Sequence, residues 1–137
     1  MRNPVEAMKG LRVLVVDESP GVRSLLSDIF AGQGAAVEVA GTPFEAMRRL
    51  LTDRFDLVTV EIMPSGPDRM KVLEFIRHCR PDLISKTLVI TAYRYDRQVL
   101  AVLNSMQVSH IFKPFKVQDV CNSSRQLLAF RGPMAAA

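Results

Sequence analysis

The chain is 137 residues long, 48% apolar and 23% charged, which suits one domain with a buried core and excludes disorder for most of its length. No apolar run approaches the roughly 20 residues of a membrane helix, and the N-terminus lacks the apolar core of a signal peptide, so a cytoplasmic protein without a membrane partner is expected. The net charge of +4 comes from dispersed basic residues, which argues against nucleic-acid binding. Cys79 and Cys121 fit no metal spacing and read as reduced thiols on helices.

Residues 1–10 carry a proline and no clear period, and are expected to form a leader ahead of a domain spanning 11–130. Leu11 to Val16 is apolar apart from Arg12, reads as a buried strand, and ends on Asp17-Glu18. Ser19-Pro20 then starts a helix, with a hydroxyl cap and proline at the first helical position. Its buried side is Val22, Leu25, Leu26, Ile29 and Phe30, and Gly32-Gln33-Gly34 stops it. Ala36 to Ala40 is a short strand, and Thr42-Pro43 repeats the cap for a helix with Ala46, Met47, Leu50 and Leu51 as its buried stripe.

Leu57 to Val60 is the most apolar strand, and it delivers Glu61 to its tip before a Pro-Ser-Gly-Pro turn. Met70, Leu73 and Ile76 mark a third helix that ends near Arg80-Pro81. Thr87 to Thr91 is a fourth strand, and Asp96 caps a helix carrying Val99, Val102, Leu103 and Met106. His110-Ile111-Phe112 is a very short strand before Lys113-Pro114-Phe115. A last helix runs through Val117, Val120, Leu127 and Leu128, and residues 131–137 read as a flexible tail.

Five repeats of strand then helix imply an α/β fold, a parallel sheet with helices on both faces joined by right-handed crossovers. That layout brings Asp17, Glu18, Glu61, Thr91 and Lys113 to one rim, the edge where ligands bind in open α/β sheets. Three carboxylates there would repel one another without a positive charge among them, and Lys113 or a divalent cation would supply it. Mg²⁺ takes oxygen ligands beside phosphoryl groups, and Asp17 and Glu18 fit as ligands directly or through water. A hydroxyl (Thr91) and an ammonium (Lys113) are what a phosphoryl oxygen needs for recognition. Each residue alone has a structural explanation, such as acids favouring a helix N-terminus or a Thr ending a strand. Five at five corresponding strand ends are poorly explained that way.

Taken together, Val13-Leu14-Val15-Val16-Asp17-Glu18, Asp56-Leu57-Val58 leading to position 61, Thr91-Ala92 and Lys113-Pro114-Phe115 make the chain resemble a response-regulator receiver domain of the CheY-like family. The resemblance runs from Leu11 to about Phe130. It implies a flavodoxin-like (βα)₅ doubly wound fold with five parallel strands, and an acidic Mg²⁺ pocket drawn from Asp17, Glu18, position 61 and the Met63 backbone carbonyl. It also implies phosphoryl transfer from a histidine kinase to an Asp at the third strand's tip, a cis Lys113–Pro114 peptide, and a protein-binding face over residues 96–130. A second copy of the chain is a further candidate partner that the sequence leaves open.

The chain departs from that pattern at three places. Position 61 is Glu, whose extra methylene moves the carboxylate outward by about 1.5 Å. Phosphoryl transfer depends on positioning, so Glu61 is expected to act as a built-in charge that pairs with Lys113 and accepts from Thr91. One carboxylate imitates a phosphoryl group only in part, having less charge and fewer oxygens. In the following loop the family's Pro falls one position after Pro64 and its Gly falls at Arg69, which weakens the expectation of a Met63 carbonyl ligand. His110 stands at the switch position usually held by Tyr or Phe, either as a partly exposed strand residue or as a pH-sensitive ring. Tyr93 and Tyr95 are near in sequence and could contribute to the same face.

The reading is therefore a non-enzymatic, atypical or pseudo-receiver of a two-component or phosphorelay system that works by protein–protein interaction, with a conventional Mg²⁺-dependent phosphoacceptor as the alternative. A Mg²⁺-dependent phosphohydrolase with Asp17 as nucleophile ranks below both, because Ser19 stands where the second acid would be needed. A flavin-binding relative is disfavoured, since the loop from Asp17 to Gly21 is acidic and lacks a hydroxyl-rich phosphate cradle.

Overall fold

The computed structural model describes residues 7–64, 66 and 70–129. Within them β1 (Arg12–Val16), α1 (Pro20–Ala31), β2 (Ala36–Ala40), α2 (Pro43–Thr52), β3 (Leu57–Val60), α3 (Lys71–Cys79), β4 (Thr87–Thr91), α4 (Arg97–Met106), β5 (Ser109–Phe112) and α5 (Val117–Ala129) follow in strict alternation. The strands form one sheet in the order β2-β1-β3-β4-β5, every neighbouring pair parallel. This is the expected flavodoxin-like α/β architecture, with the chain reversing its direction of travel between β1 and β3.

Side-chain alternation along the strands divides the interior into two cores. Val13, Val15, Leu57, Leu88 and Ile90 face Leu26 and Phe30 of α1 and Val120 and Leu127 of α5. Leu14, Val16, Val58, Val60 and Val89 face Ala46 and Leu50 of α2, Leu73 and Ile76 of α3, and Val99 and Leu103 of α4. Every residue of β3 and β4 is buried, as a central parallel strand covered on both faces requires.

The caps form as the residue types dictate. Val22 N–H donates to Ser19 Oγ (3.4 Å), Glu45 N–H to Thr42 Oγ1 (3.2 Å) and Val99 N–H to Asp96 Oδ1 (3.0 Å). Four details differ from expectation. Leu51 is 67% exposed, because α2 buries only the narrow stripe of Ala46 and Leu50 and Leu51 sits a further 100° around the helix. Leu25 is likewise exposed, lying beside the buried stripe of its helix, and Val117 is exposed although in line with the buried stripe of α5, because it is the first residue of that helix. A 3₁₀ helix, Pro81–Lys86, fills what reads in sequence as a loop between α3 and β4. Met8, in the stretch without period, is fully buried against the α1–α5 core, and its N–H donates to the Gln33 carbonyl at 2.8 Å. The rest of the expected leader (1–6), Arg69 of the altered loop, and the tail from 130 onward lie outside the described residues.

Candidate functional site

The rim is built by continuing the sheet one residue past the strands. Val16 lies level with Val60 and Thr91 with Phe112. Asp17 N–H donates to the Ala40 carbonyl (3.2 Å), Glu61 N–H to Val16 (3.1 Å) and Lys113 N–H to Thr91 (2.9 Å). Backbone hydrogen bonds between neighbouring strands therefore set Asp17, Glu61 and Lys113 at one level, and their side chains meet. The Lys113–Pro114 peptide is cis, as the resemblance implies.

Lys113 Nζ donates to Asp17 Oδ2 at 2.9 Å and to Glu61 Oε2 at 2.6 Å. The second oxygen of Asp17, Oδ1, accepts the Ser19 N–H at 2.9 Å. The side chains of Asp17, Glu61 and Lys113 are only 1%, 15% and 17% exposed, so these contacts are poorly screened by solvent. Burial works to lower the Lys113 pKa, but the hydrogen bonds and charges of Glu61 and Asp17 outweigh it and hold the ammonium above its ordinary value. The expected pairing of Glu61 with Lys113 is thus present.

The expected Thr91 contact is not. Thr91 is fully buried, its hydroxyl donates to the Ile62 carbonyl (2.9 Å) and accepts the Tyr93 N–H (3.2 Å). A hydroxyl has one proton to donate, and here the backbone after β3 takes it, so Glu61 receives none. Thr91 ties the loop after β3 to the loop after β4 instead.

Asp17, Glu18, Glu61 and Met63 line one cavity of about 170 Å³, together with Thr42 and Val72. Glu18 is exposed, unlike Asp17 beside it. Carboxylates and a backbone carbonyl are hard oxygen donors of the kind Mg²⁺ takes, so the residues fit that ion in chemical type. Asp17 has both oxygens in hydrogen bonds, and no group of three His, Cys, Asp or Glu within reach of a common metal ion occurs among the described residues. Lys113 already supplies the positive charge that the paired carboxylates need.

His110 lies on β5 and is exposed, its Nδ1 3.2 Å from the Val108 carbonyl and its ring edge-on to Phe112 at 5.3 Å. Arg94 stacks on the same Phe112 ring at 5.2 Å. Tyr93 and Tyr95 are both exposed, Tyr95 by 88%. Sequence reasoning missed two supports of the rim. The Ser19 amide on Asp17 is an Asx-type turn that the Asp-Glu-Ser-Pro order could have signalled. The other is Arg23, whose long side chain returns to the loop after β1 and leaves no local pattern.

A parallel five-stranded α/β sheet with an acid, an acid, a hydroxyl and a lysine at the tips of β1, β3, β4 and after β5 defines a signal-receiving module. The chain belongs to the response regulator receiver domain family, which it matches over residues 13–125. It is 30% identical over 127 residues to the response regulator MprA of Mycobacterium bovis, covering 93% of this chain and 54% of that protein. MprA of Mycobacterium avium is 30% identical over 118 residues, covering 86% and 51%. The chain thus spans about half the length of the curated relatives it matches.

Among solved structures, the non-phosphorylated HemR receiver domain of Leptospira biflexa superposes with a TM-score of 0.75 at 24% identity, covering 90% of this chain and 98% of that one. The response regulator TrrA of Thermotoga maritima, solved in complex with Mg²⁺ and BeF, superposes with a TM-score of 0.71 at 26% identity, covering 85% and 98%. The chain is a receiver domain of the two-component response regulator kind, and no described helix is long and apolar enough to cross a membrane.

Proposed function

We propose that this receiver is atypical: it signals through protein–protein contact without a conventional aspartyl phosphorylation cycle and without catalysing a reaction of its own. The observation that carries this reading is the 2.6 Å contact of Glu61 with Lys113, made at the strand tip where the family's phosphoacceptor stands. Glu61 carries its carboxylate about one C–C bond, roughly 1.5 Å, further out than an Asp would. In-line attack on a phosphodonor tolerates little displacement, whereas a charge pair needs only contact. Glu61 holds Lys113 as a permanent anionic partner and stands in, partially, for the charged state of the site.

Mg²⁺, if bound, would be held by Asp17 and Glu61, with Glu18 acting through water and Met63 through its carbonyl, and would neutralise charge on a phosphoryl oxygen. The partner-binding face is residues 96–130, comprising α4, β5 and α5. Exposed Leu100 and His110 on that face, with Tyr95 beside it, support this assignment. A histidine kinase or a second copy of the chain are partners such a face would take, in the cytoplasm.

The test is intact-mass analysis after incubation with a small phosphodonor and Mg²⁺. The expected result is no adduct. A base-labile adduct of one phosphoryl unit on Glu61 would overturn the proposal in favour of a conventional phosphoacceptor, the reading to which the TrrA complex with Mg²⁺ and BeF lends support. Turnover of a generic phosphate ester would instead point to a phosphohydrolase.

A further inference from the structure

The loop after β1 turns sharply from Asp17 to Ser19, and its carbonyls project where no strand can pair them. The Ser19 carbonyl accepts the Arg23 N–H at 3.0 Å, the ordinary first bond of α1. The Arg23 side chain takes the other two, its Nη1 donating to the carbonyls of Asp17 (2.8 Å) and Glu18 (3.0 Å). Charge-assisted hydrogen bonds of this length are among the stronger ones a loop can have.

The guanidinium needs room, and Gly41 in the β2–α2 loop provides it. A Cβ at position 41 would lie 2.8 Å from Nη1 and 3.1 Å from Cζ of Arg23. Gly41 does not have a positive φ, unlike Gly10, Gly34 and Gly66, so its backbone conformation does not call for glycine. Space for Arg23 does.

We infer that Arg23, seated in the slot left by Gly41, is the positioning residue of the acidic loop and sets the Asp17 carboxylate against Lys113. Asp17 is then fixed at three points: its carbonyl by Arg23, Oδ1 by the Ser19 amide and Oδ2 by Lys113. Glu18 beside it is exposed, while Asp17 is 2% exposed. The inference rests on the reading that the Asp17–Lys113–Glu61 contact is the working element of the site, and it names what holds that element in place.

The experiment is amide hydrogen exchange and the chemical shift of the Lys113 Nζ group at neutral pH, both by NMR on the full chain, comparing Arg23→Ala, Arg23→Lys and Gly41→Ala. Protection of the Ser19 amide is expected to fall about tenfold in Arg23→Ala, with the β3 amides unchanged, because only the local clamp is lost. The Lys113 Nζ signal is expected to shift toward that of a solvent-exposed lysine as Asp17 loosens and the 2.9 Å contact is lost. Gly41→Ala should act in the same direction without removing any charge, and Arg23→Lys should fall between, since one ammonium replaces a planar fork. Wild-type behaviour at Ser19 and Lys113 in both Arg23→Ala and Gly41→Ala would overturn the inference. So would an equal loss of protection at Ser19 and throughout β3, which would make Arg23 a general stabiliser. If Arg23→Ala does not fold, Gly41→Ala decides alone. A phosphoryl adduct on Glu61 would sink the atypical reading without altering these exchange and chemical-shift results on the unmodified chain, so the two failures are distinguishable.

Discussion

Between the start of β1, the middle of β2 and the end of α2, Arg12 contacts Glu38 at 2.8 Å and Asp53 at 4.0 Å, and Arg49 contacts Glu38 at 3.1 Å, all with side chains between 30% and 39% exposed. At the opposite rim Lys113 makes contacts of similar length to Asp17 and Glu61, with side chains of 1% to 17% exposure. The distances are alike and the surroundings are not. In the exposed network water competes with every contact, so the pairs stabilise little, and the Arg12 guanidinium does as much by lying over the Phe55 ring at 5.1 Å. At the rim each charge has been taken largely out of water, and its partners are what make burial tolerable. The difference separates a network that decorates a sheet edge from one whose members depend on each other.

The largest effect that could break this comparison is removal of the shared cation. Lys113→Ala leaves two adjacent carboxylates uncompensated and is expected to cost about 3–5 kcal/mol in urea unfolding at neutral pH. A cost below that of Arg12→Ala would erase the distinction between the two networks. The pH dependence has a definite sign. Because the folded-state value of Lys113 lies above its ordinary 10.5, its contribution is fully present below that value and is lost as pH rises through the raised folded value. Denaturation midpoints should therefore fall more steeply in that alkaline window for wild type than for Lys113→Ala.

A smaller effect is expected from Glu61→Gln, which keeps an acceptor for Lys113 but removes the charge. Asp17 still pairs with the ammonium, so the loss should be about 1–3 kcal/mol, and the Lys113 titration should move down. An unchanged titration would mean that Asp17 alone holds the lysine. The smallest effect belongs to the exposed network. A double-mutant cycle on Arg12 and Glu38 should give a coupling of roughly 0.2–1 kcal/mol that fades in high salt. Equal salt sensitivity at the rim would contradict its burial.

The fold was largely legible because parallel central strands must be apolar on both faces, and the runs Leu11–Val16, Leu57–Val60 and Thr87–Thr91 have no other home. The caps were legible for a local reason, since Ser19, Thr42 and Asp96 act within three residues. Leu51 was misread because helical spacing tells which residues share a stripe and not how wide a stripe the sheet will cover. The direction of the Thr91 hydroxyl was misread for a different reason. Its acceptor is a backbone carbonyl, which every residue has, so no side-chain pattern could announce it.

The order of strands and helices, the acid at each of two strand tips and the lysine before Pro114 were determined by the sequence alone, because apolar periodicity and residue type are local properties. Only the tertiary structure decided that Glu61 and Asp17 share one ammonium, that Thr91 serves the loop backbone, and that Arg23 reaches over Gly41 to hold the turn between them. Those are contacts between residues separated along the chain, and their geometry follows from strand register and from where space is left by a missing side chain.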